Sequence, residues 1–168
     1  LVPMFDYGFR LWNIQRIYPD GHKLFLTGGR TNGIMWPHGA FYRDGRPSAG
    51  PLVIGEGFAT MAAVHHATGH GVVAAMSARN LEAVAQAMRS LFPNRILIFA
   101  ADDDRHLTDN IGLIAASNAA EAVNGLIATP LPLIDTGLYS ADRGIDFADI
   151  SNPEIAARIT EARSATND

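Results

Sequence analysis

The spacing of apolar positions divides the chain into two unlike parts near residue 50. In the first part, "LWNIQRIY" alternates apolar and polar residues, "PDG" follows as a turn signal, and "KLFL" resumes the apolar pattern. Alternation with a period of two is typical of strands that bury one face. Residues 1–50 are therefore predicted to form a small β-rich subdomain, and the Gly/Pro-rich segment 42–51 predicts its boundary.

Beyond residue 50, continuous apolar strands alternate with segments of helical spacing. "PLVIGEG" indicates a short buried strand, and "FATMAAVHHATG" has the apolar spacing and terminal glycine of a helix. The pattern continues with the strands "GVVAAM" and "NRILIFA", helices near 81–92 and 110–124, and a fourth strand at "ATPLPLI". Asn80 is expected to cap the helix that follows it. Residues 51–168 are thus predicted to form an α/β domain with a mainly parallel sheet flanked by helices.

Composition and charge exclude several classes of protein. The 168 residues are 48% hydrophobic and include no cysteine, which rules out disulfides and thiolate zinc sites. Residues 1–50 carry six Lys/Arg against three Asp/Glu, whereas residues 51–168 carry seven against fourteen. The net charge of −4 argues against binding nucleic acid by bulk positive charge. With no membrane-length apolar run and no signal peptide, a cytoplasmic protein is expected.

Acidic residues follow two of the predicted strands, at the point where each strand ends. Glu56 lies between two glycines after the first strand of the second part, and Asp102, Asp103 and Asp104 come directly after its third strand. The carboxyl ends of parallel strands meet at one edge of a sheet, where ligands bind in this class of fold. If these strands are neighbours, right-handed crossovers bring the acids together. Because their charges repel, the acids predict a divalent cation, Mg²⁺ or Mn²⁺.

Each of these acids also has a simpler interpretation. Glu56 could cap a helix N-terminus, where the helix dipole favours negative charge. Asp102 and Asp104 could form the turn before the next helix, because aspartate side chains accept hydrogen bonds from nearby backbone N–H groups. Asp103 has no assigned role and is expected to face solvent.

The motifs "LVIGEG" and "ILIFAADDD" together resemble the Toprim domain, whose signature is a glutamate after the first strand and an Asp-x-Asp pair after the third. Glu56 matches the glutamate, and Asp102 and Asp104 match the pair. Residues 2–36, together with "MSARNL", "ADDDRHLTDNIGLIAA" and "GIDFADI", are similar to primases of conjugative plasmids and phages. The resemblance therefore covers nearly the whole chain.

The resemblance implies a nucleotidyltransferase that makes short RNA primers on single-stranded DNA template from ribonucleoside triphosphates, with Mg²⁺ or Mn²⁺. It assigns catalysis and metal binding to Glu56, Asp102 and Asp104, with Glu56 acting in proton transfer or metal positioning, and adds Asp146 and Asp149 as metal ligands. A Toprim nuclease and a non-catalytic module that binds nucleic acid or a partner remain as alternatives. Because the chain begins at Leu1, we expect a fragment, with a zinc-binding module or a replicative helicase as partners outside it.

Basic and aromatic side chains complete the candidate site. Four cations are candidates for contacts with phosphate or nucleic acid: Lys23, Arg30, Arg79 and Arg105. Guanidinium groups match phosphate oxygens well, although each of the four could equally be a solvated surface charge. Three aromatic residues could stack on bases: Trp12, Trp36 and Tyr42. The alternative is that these rings form the core of the β subdomain.

Overall fold

A computed structural model of the chain describes residues 1–39, 49–130 and 144–165, together with the backbone of residues 42–43 and 46–47. The described strands are β1 (Val2–Phe5), β2 (Leu11–Ile17), β3 (Lys23–Phe25), β4 (Trp36–His38), β5 (Tyr42–Arg43), β6 (Arg46–Pro47), β7 (Leu52–Gly55), β8 (Gly71–Ala74), β9 (Leu97–Ala100) and β10 (Leu126–Ala128). The described helices are α1 (Phe58–Thr68), α2 (Leu81–Leu91), α3 (Ile111–Ala122) and α4 (Asn152–Ser164), with a short 3₁₀ helix at Ala78–Asn80. None of these helices is long and apolar enough to cross a membrane.

The first three strands form an antiparallel sheet in the order β1-β2-β3, which confirms the predicted β-rich N-terminal part. Val2 and Met4 of β1 are buried, and they pair with Gln15 and Asn13 of β2 on the same face. Because side chains alternate across a strand, Trp12 points to the opposite face. This N-terminal sheet therefore has an inner face, which packs on the rest of the protein, and an outer face.

The second sheet has the order β10-β9-β7-β8-β4, with β10, β9, β7 and β8 parallel and β4 antiparallel to β8. This arrangement confirms the mainly parallel sheet predicted from the sequence. The edge position of β4 suits its Pro37, which has no N–H to donate to a further strand. The predicted fourth strand "ATPLPLI" is only partly described: β10 ends at its first residue, Ala128, and residues 131–134 lie outside the described part.

Two layers of apolar side chains cover the parallel sheet. On one face, Val53 and Ile98 pack with α1, α4 and the inner face of the N-terminal sheet. On the other face, Ile54 and Phe99 pack with α2 and α3. Continuous burial of β7, β8 and β9 explains why these strands have apolar residues at every position rather than at alternate ones.

Residues on both sides of the predicted boundary near residue 50 contribute to one core. Val2, Met4 and Ile34 belong to the same buried cluster as Val53 and Met61. The strand β4 also comes from the first fifty residues and hydrogen-bonds to β8. The N-terminal sheet is thus packed directly on the α/β part.

Helix α4 has no counterpart among the elements predicted from the sequence, although the chain contains a signal for it. Ser151 and Glu154 form a capping box, in which Ser151 N–H donates to Glu154 Oε2 at 2.9 Å. Pro153 follows in the first turn, where a missing N–H has no cost. The motif "SNPE" is therefore a readable helix start.

Asn80 does not cap α2, so that prediction was wrong. Its side chain is buried, 3% exposed, and spans two segments of the chain instead. Oδ1 accepts from the N–H of Gly33 at 2.7 Å, and Nδ2 donates to the carbonyls of Ile34 and Ala75 at 2.7 and 2.8 Å. Asn80 thereby joins the segment before β4 to the loop after β8.

Replacing Asn80 with Ala should lower the free energy of unfolding by about 3 kcal/mol, because three backbone groups lose a hydrogen-bond partner and two of these bonds are fully buried. Urea denaturation of Asn80→Ala measures this loss. Asn118→Ala, the same change at an exposed position of α3, serves as the control and should stay within about 0.5 kcal/mol of the wild-type value. Equal stability of the two variants would contradict the proposed role of Asn80.

Candidate metal centre

The ends of β7 and β9 place Glu56 and Asp102 at the same edge of the parallel sheet. The two strands are direct neighbours, and Gly55 pairs with Ala100 at their carboxyl ends. Glu56 follows Gly55 immediately, and Asp102 lies two residues beyond Ala100. The two strands are therefore neighbours, which is the condition under which the acids were expected to meet, and the acids follow them at the carboxyl edge of the sheet.

A short backbone pairing brings a third acidic segment to this edge. Asp103 N–H donates to the carbonyl of Ile145 at 2.8 Å, and Ile145 N–H donates back to the carbonyl of Asp103 at 3.0 Å. Asp146 follows Ile145 directly, so its charge is held close to that of Asp102. The segment "DFADI" is thus attached to the Asp-rich segment by main-chain bonds.

Asp102 has the most perturbed environment of the cluster. Its Oδ1 is buried and has no hydrogen-bond partner among the residues that the structure describes. Burial is the largest cause of its pKa shift, and the charges of Asp146, Glu56 and Asp104 add to it, which together raise the pKa of Asp102 to about 8. A carboxyl group in this position is therefore stable either when it is protonated or when a cation offsets its negative charge.

Glu56 is also held where its charged form is disfavoured. Burial raises the pKa of Glu56 above its ordinary value, and the charge of Asp104 acts in the same direction. A hydrogen bond from the backbone N–H of Ala78 and the positive charge of Lys23 oppose this rise. Glu56 therefore does not cap α1, the helix next to it in sequence, but accepts from the first residue of the 3₁₀ helix.

Asp104 lies between the N-terminus of α3 and the segment before Ile145. Its Oδ2 accepts from the N–H of Gly112 at 3.0 Å, and its own N–H donates to Asn110 Oδ1 at 2.8 Å. A Cβ at Gly112 would lie 2.9 Å from Asp104 Oδ2, and one at Gly144 would lie 2.8 Å from Asp104 Oδ1. Both glycines are needed for the backbone to approach this carboxylate so closely.

Asp103 is buried, 5% exposed, so the expectation that it faces solvent was wrong. Its Oδ1 accepts from Asn110 Nδ2 at 2.8 Å, and its Oδ2 accepts from Arg105, with Nε at 2.8 Å. Burial alone would raise the pKa of Asp103, but the hydrogen bonds from Arg105 and Asn110 outweigh it and lower the pKa. Two signals in the sequence were available: the alternation of side chains along an extended segment, and an arginine two residues later.

The charges of Glu56, Asp104 and Asp146 all act on Asp102, and the charge of Asp104 acts on Glu56 as well. Asp149 is exposed, and its Oδ2 accepts from the N–H of Asp146 at 3.1 Å. In this side-chain arrangement, no three acidic or histidine residues of the described ranges are placed to share one metal ion. The assignment of these acids as metal ligands therefore remains a prediction.

The basic residues predicted to contact phosphate lie in different surroundings. Lys23 is close enough to lower the pKa of both Glu56 and Asp102, which places its charge near the acids. Arg79 is exposed, whereas Arg105 is engaged with Asp103. Arg30 lies over the ring of Trp12, with 5.4 Å between its Cζ and the ring centroid.

The aromatic candidates also differ in their surroundings. Trp12 is exposed on the outer face of the N-terminal sheet. Trp36 packs edge-on against Phe58 at the margin of the core, with 4.7 Å between ring centroids. The side chain of Tyr42 lies outside the described part of the chain.

This combination of fold and acidic edge is that of a Toprim domain, and the family model for the Toprim domain matches residues 51–156. The chain belongs to this family. Among characterised proteins it is similar to two from Escherichia coli, both named DNA primase TraC, at 42% and 39% identity over 134 residues. The match covers 77% of this chain but only 9% and 12% of the two relatives, so the chain spans about a tenth of their length.

Stability without metal should depend on pH through Asp102. Its pKa is raised in the folded state, so the native protein keeps a proton that the unfolded chain loses between about pH 4 and pH 8. The free energy of unfolding must therefore fall as the pH rises through this window. Asp102→Asn removes the titrating group and with it this part of the pH dependence. Urea denaturation in EDTA should show the variant gaining on wild type by up to about 1.4 kcal/mol per pH unit between pH 5 and pH 8. A constant difference between the two proteins would contradict the raised pKa.

Substitution of the neighbouring residue, Asp103, should have the opposite effect on stability. Asp103→Asn removes the ion pair with Arg105 and replaces an acceptor of three hydrogen bonds with an amide, so it should destabilise the metal-free protein by about 2 kcal/mol at pH 7. Asp102→Asn, the same substitution one position earlier, is the matched control and should cause no loss. If both variants were equally stable at pH 7, the distinct roles assigned to these adjacent acids would be wrong.

Proposed function

We propose that this chain is the metal-dependent catalytic domain of a primase, which joins ribonucleotides into short RNA primers on a single-stranded DNA template. The observation that carries this proposal is the convergence of Glu56, Asp102, Asp104 and Asp146 at one sheet edge, with an unpartnered buried oxygen on Asp102. Membership of the Toprim family and the two relatives named DNA primase support it.

The acids of this edge suit a divalent cation, Mg²⁺ or Mn²⁺. Carboxylate oxygens are the ligands that these ions prefer, and the buried Oδ1 of Asp102 lacks the hydrogen bonds that would satisfy it in another way. Asp102, Asp104 and Asp146 would hold the cation, with Asp149 as a further ligand. When bound, such a cation neutralises the carboxylates and attracts the oxygens of a triphosphate.

Glu56 is the best candidate for proton transfer. In primer extension the hydroxyl oxygen of the growing strand bonds to the α-phosphorus, pyrophosphate leaves, and the hydroxyl proton needs an acceptor. The raised pKa of Glu56 brings its carboxylate closer to the neutral range in which a general base works well. Lys23, whose charge lowers the pKa of the same two acids, would contact the triphosphate from the N-terminal sheet.

Mn²⁺ should raise the melting temperature of the wild-type chain by an amount that grows with ion concentration, because it binds only the folded state. The double variant Asp102→Asn/Asp104→Asn should lose this gain. Asp109→Asn, an exposed acid of the same loop, is the matched control and should keep it. A double variant with the full wild-type gain would show that the ion binds elsewhere.

Glu56→Gln separates proton transfer from metal binding. The variant should keep most of the Mn²⁺-induced gain in melting temperature and lose ribonucleotide incorporation by about a hundredfold or more, as expected when a general base is removed. Incorporation is measured with labelled ribonucleoside triphosphates on single-stranded DNA. If wild-type protein degrades the DNA in Mn²⁺ and adds no ribonucleotide, the nuclease alternative replaces the primase proposal.

A further inference from the structure

The N-terminal sheet exposes an unusual concentration of large apolar side chains. Among the described residues, fifteen large hydrophobic side chains are exposed, and nine of them lie within the first 26 positions. Those nine include all four exposed aromatic residues of the set: Tyr7, Phe9, Trp12 and Tyr18. The concentration of these side chains in one sheet and its loops makes the N-terminal sheet a candidate interaction surface.

The loop between β1 and β2 is built to hold this surface in place. Asp6 Oδ1 accepts from the N–H groups of Gly8 and Arg10 at 2.9 and 3.0 Å, and Asp6 Oδ2 accepts from Trp12 Nε1 at 2.7 Å. Phe9 adopts a left-handed backbone conformation with φ of 61°, which is unfavourable for a residue with a side chain. The loop thus keeps a fixed shape that leaves Tyr7 60% exposed and Phe9 52% exposed.

Two arginines lie over the ring of Trp12. The Cζ atoms of Arg10 and Arg30 are 4.4 and 5.4 Å from the ring centroid, within the range of cation–π attraction. Tyr7, Arg10, Trp12 and Arg30 together are called the Trp12 surface. The hydrogen bond from Trp12 lowers the pKa of the adjacent Asp6, which stays ionised, so the two arginines leave the surface with an excess of positive charge.

We propose that the Trp12 surface binds single-stranded nucleic acid, with Arg10 and Arg30 contacting phosphates and the rings of Tyr7 and Trp12 stacking on bases. Aromatic rings beside cationic groups are the recurrent means of holding a single strand without sequence preference. The inference rests on the proposed function for the choice of a single strand as ligand, whereas its test requires no catalysis.

This surface is separate from the acidic edge. Lys23 pairs with Ile17, so the alternation along β2 and β3 places it on the inner face with Phe25, and its charge reaches Glu56 and Asp102. Trp12 lies on the outer face. A single-stranded DNA bound there would contact the protein away from the reacting groups. The Trp12 surface would thus be a second binding site for the template, in addition to the acidic edge.

Fluorescence anisotropy with a short labelled single-stranded DNA in EDTA, over a range of NaCl concentrations, tests the charged half of the proposal. Arg10→Gln/Arg30→Gln should reduce the slope of log K against log[NaCl] by about 1.4, because about 0.7 counterion fewer is released per lost phosphate contact. Arg158→Gln, which removes a remote arginine paired with Glu161 on α4, should leave the slope unchanged. An unchanged slope in the double variant would overturn the proposal.

An abasic oligonucleotide of the same length tests the second part of the proposal, that bases stack on the rings of Tyr7 and Trp12. Tyr7→Leu and Trp12→Leu should each weaken binding of normal DNA at least about fivefold and leave binding of the abasic strand unaltered. Trp12→Phe loses the hydrogen bond to Asp6 but keeps a ring, so it should recover most of the affinity and separates stacking from loop stability. Equal losses on both oligonucleotides would refute stacking.

Three further results separate this inference from the proposed function and from the possibility that the Trp12 surface binds another molecule. Binding is measured in EDTA without ribonucleotides, so a wild-type chain that binds DNA but incorporates no ribonucleotide would contradict the proposed function and leave this inference standing. Absence of single-strand binding by the wild-type chain at low salt would overturn the proposal. So would variants of the Trp12 surface that change only self-association, measured by sedimentation velocity, because the occupant would then be a second copy of the chain.

Discussion

The paired backbone hydrogen bonds between Asp103 and Ile145 determine where negative charge is concentrated in this protein. Without them, Asp146 would have no reason to lie beside Asp102, since more than forty residues separate the two in sequence. The pairing turns Asp103 away from its neighbours, where Arg105 and Asn110 satisfy its carboxylate. Asp103 thus anchors the segment, whereas Asp102 on one side has a buried oxygen without a described partner and Asp104 on the other accepts from Gly112.

The contrast between Asp102 and Asp103 shows how two adjacent aspartates acquire opposite chemistry. Both are removed from much of the solvent, but Asp103 has donors for both oxygens, whereas Asp102 has a buried Oδ1 without one. The pKa accordingly falls at Asp103 and rises at Asp102. One acid of this pair is thus satisfied by protein donors, whereas burial and neighbouring carboxylates disfavour the charged form of the other.

Much of the fold could be predicted because the buried strands of a parallel sheet are apolar at every position, as "LVIG" and "LIFA" are. The acids at the strand ends were equally readable, since Glu56 and Asp102 directly follow apolar runs. The role of Asn80 could not be predicted, because its partners Gly33 and Ile34 are almost fifty residues away in sequence. Only this tertiary contact overrides the preference of asparagine for a helix N-cap. Burial of Asp103 depends on its pairing with the distant Ile145, although side-chain alternation and an arginine two residues later were local signals for it.

Paramagnetic broadening by Mn²⁺ in a ¹H–¹⁵N NMR spectrum of this chain tests the central claim, that a divalent cation binds among the acids at the carboxyl edge of the sheet. At substoichiometric Mn²⁺, the amide signals of Asp103, Gly112 and Ala148 should broaden first, because they belong to or contact the segments that carry Asp102, Asp104 and Asp146. The signals of α4 residues near Glu161, an exposed acid on another element, should remain sharp. Broadening that begins near Glu161 or is uniform over all exposed acids would contradict the account.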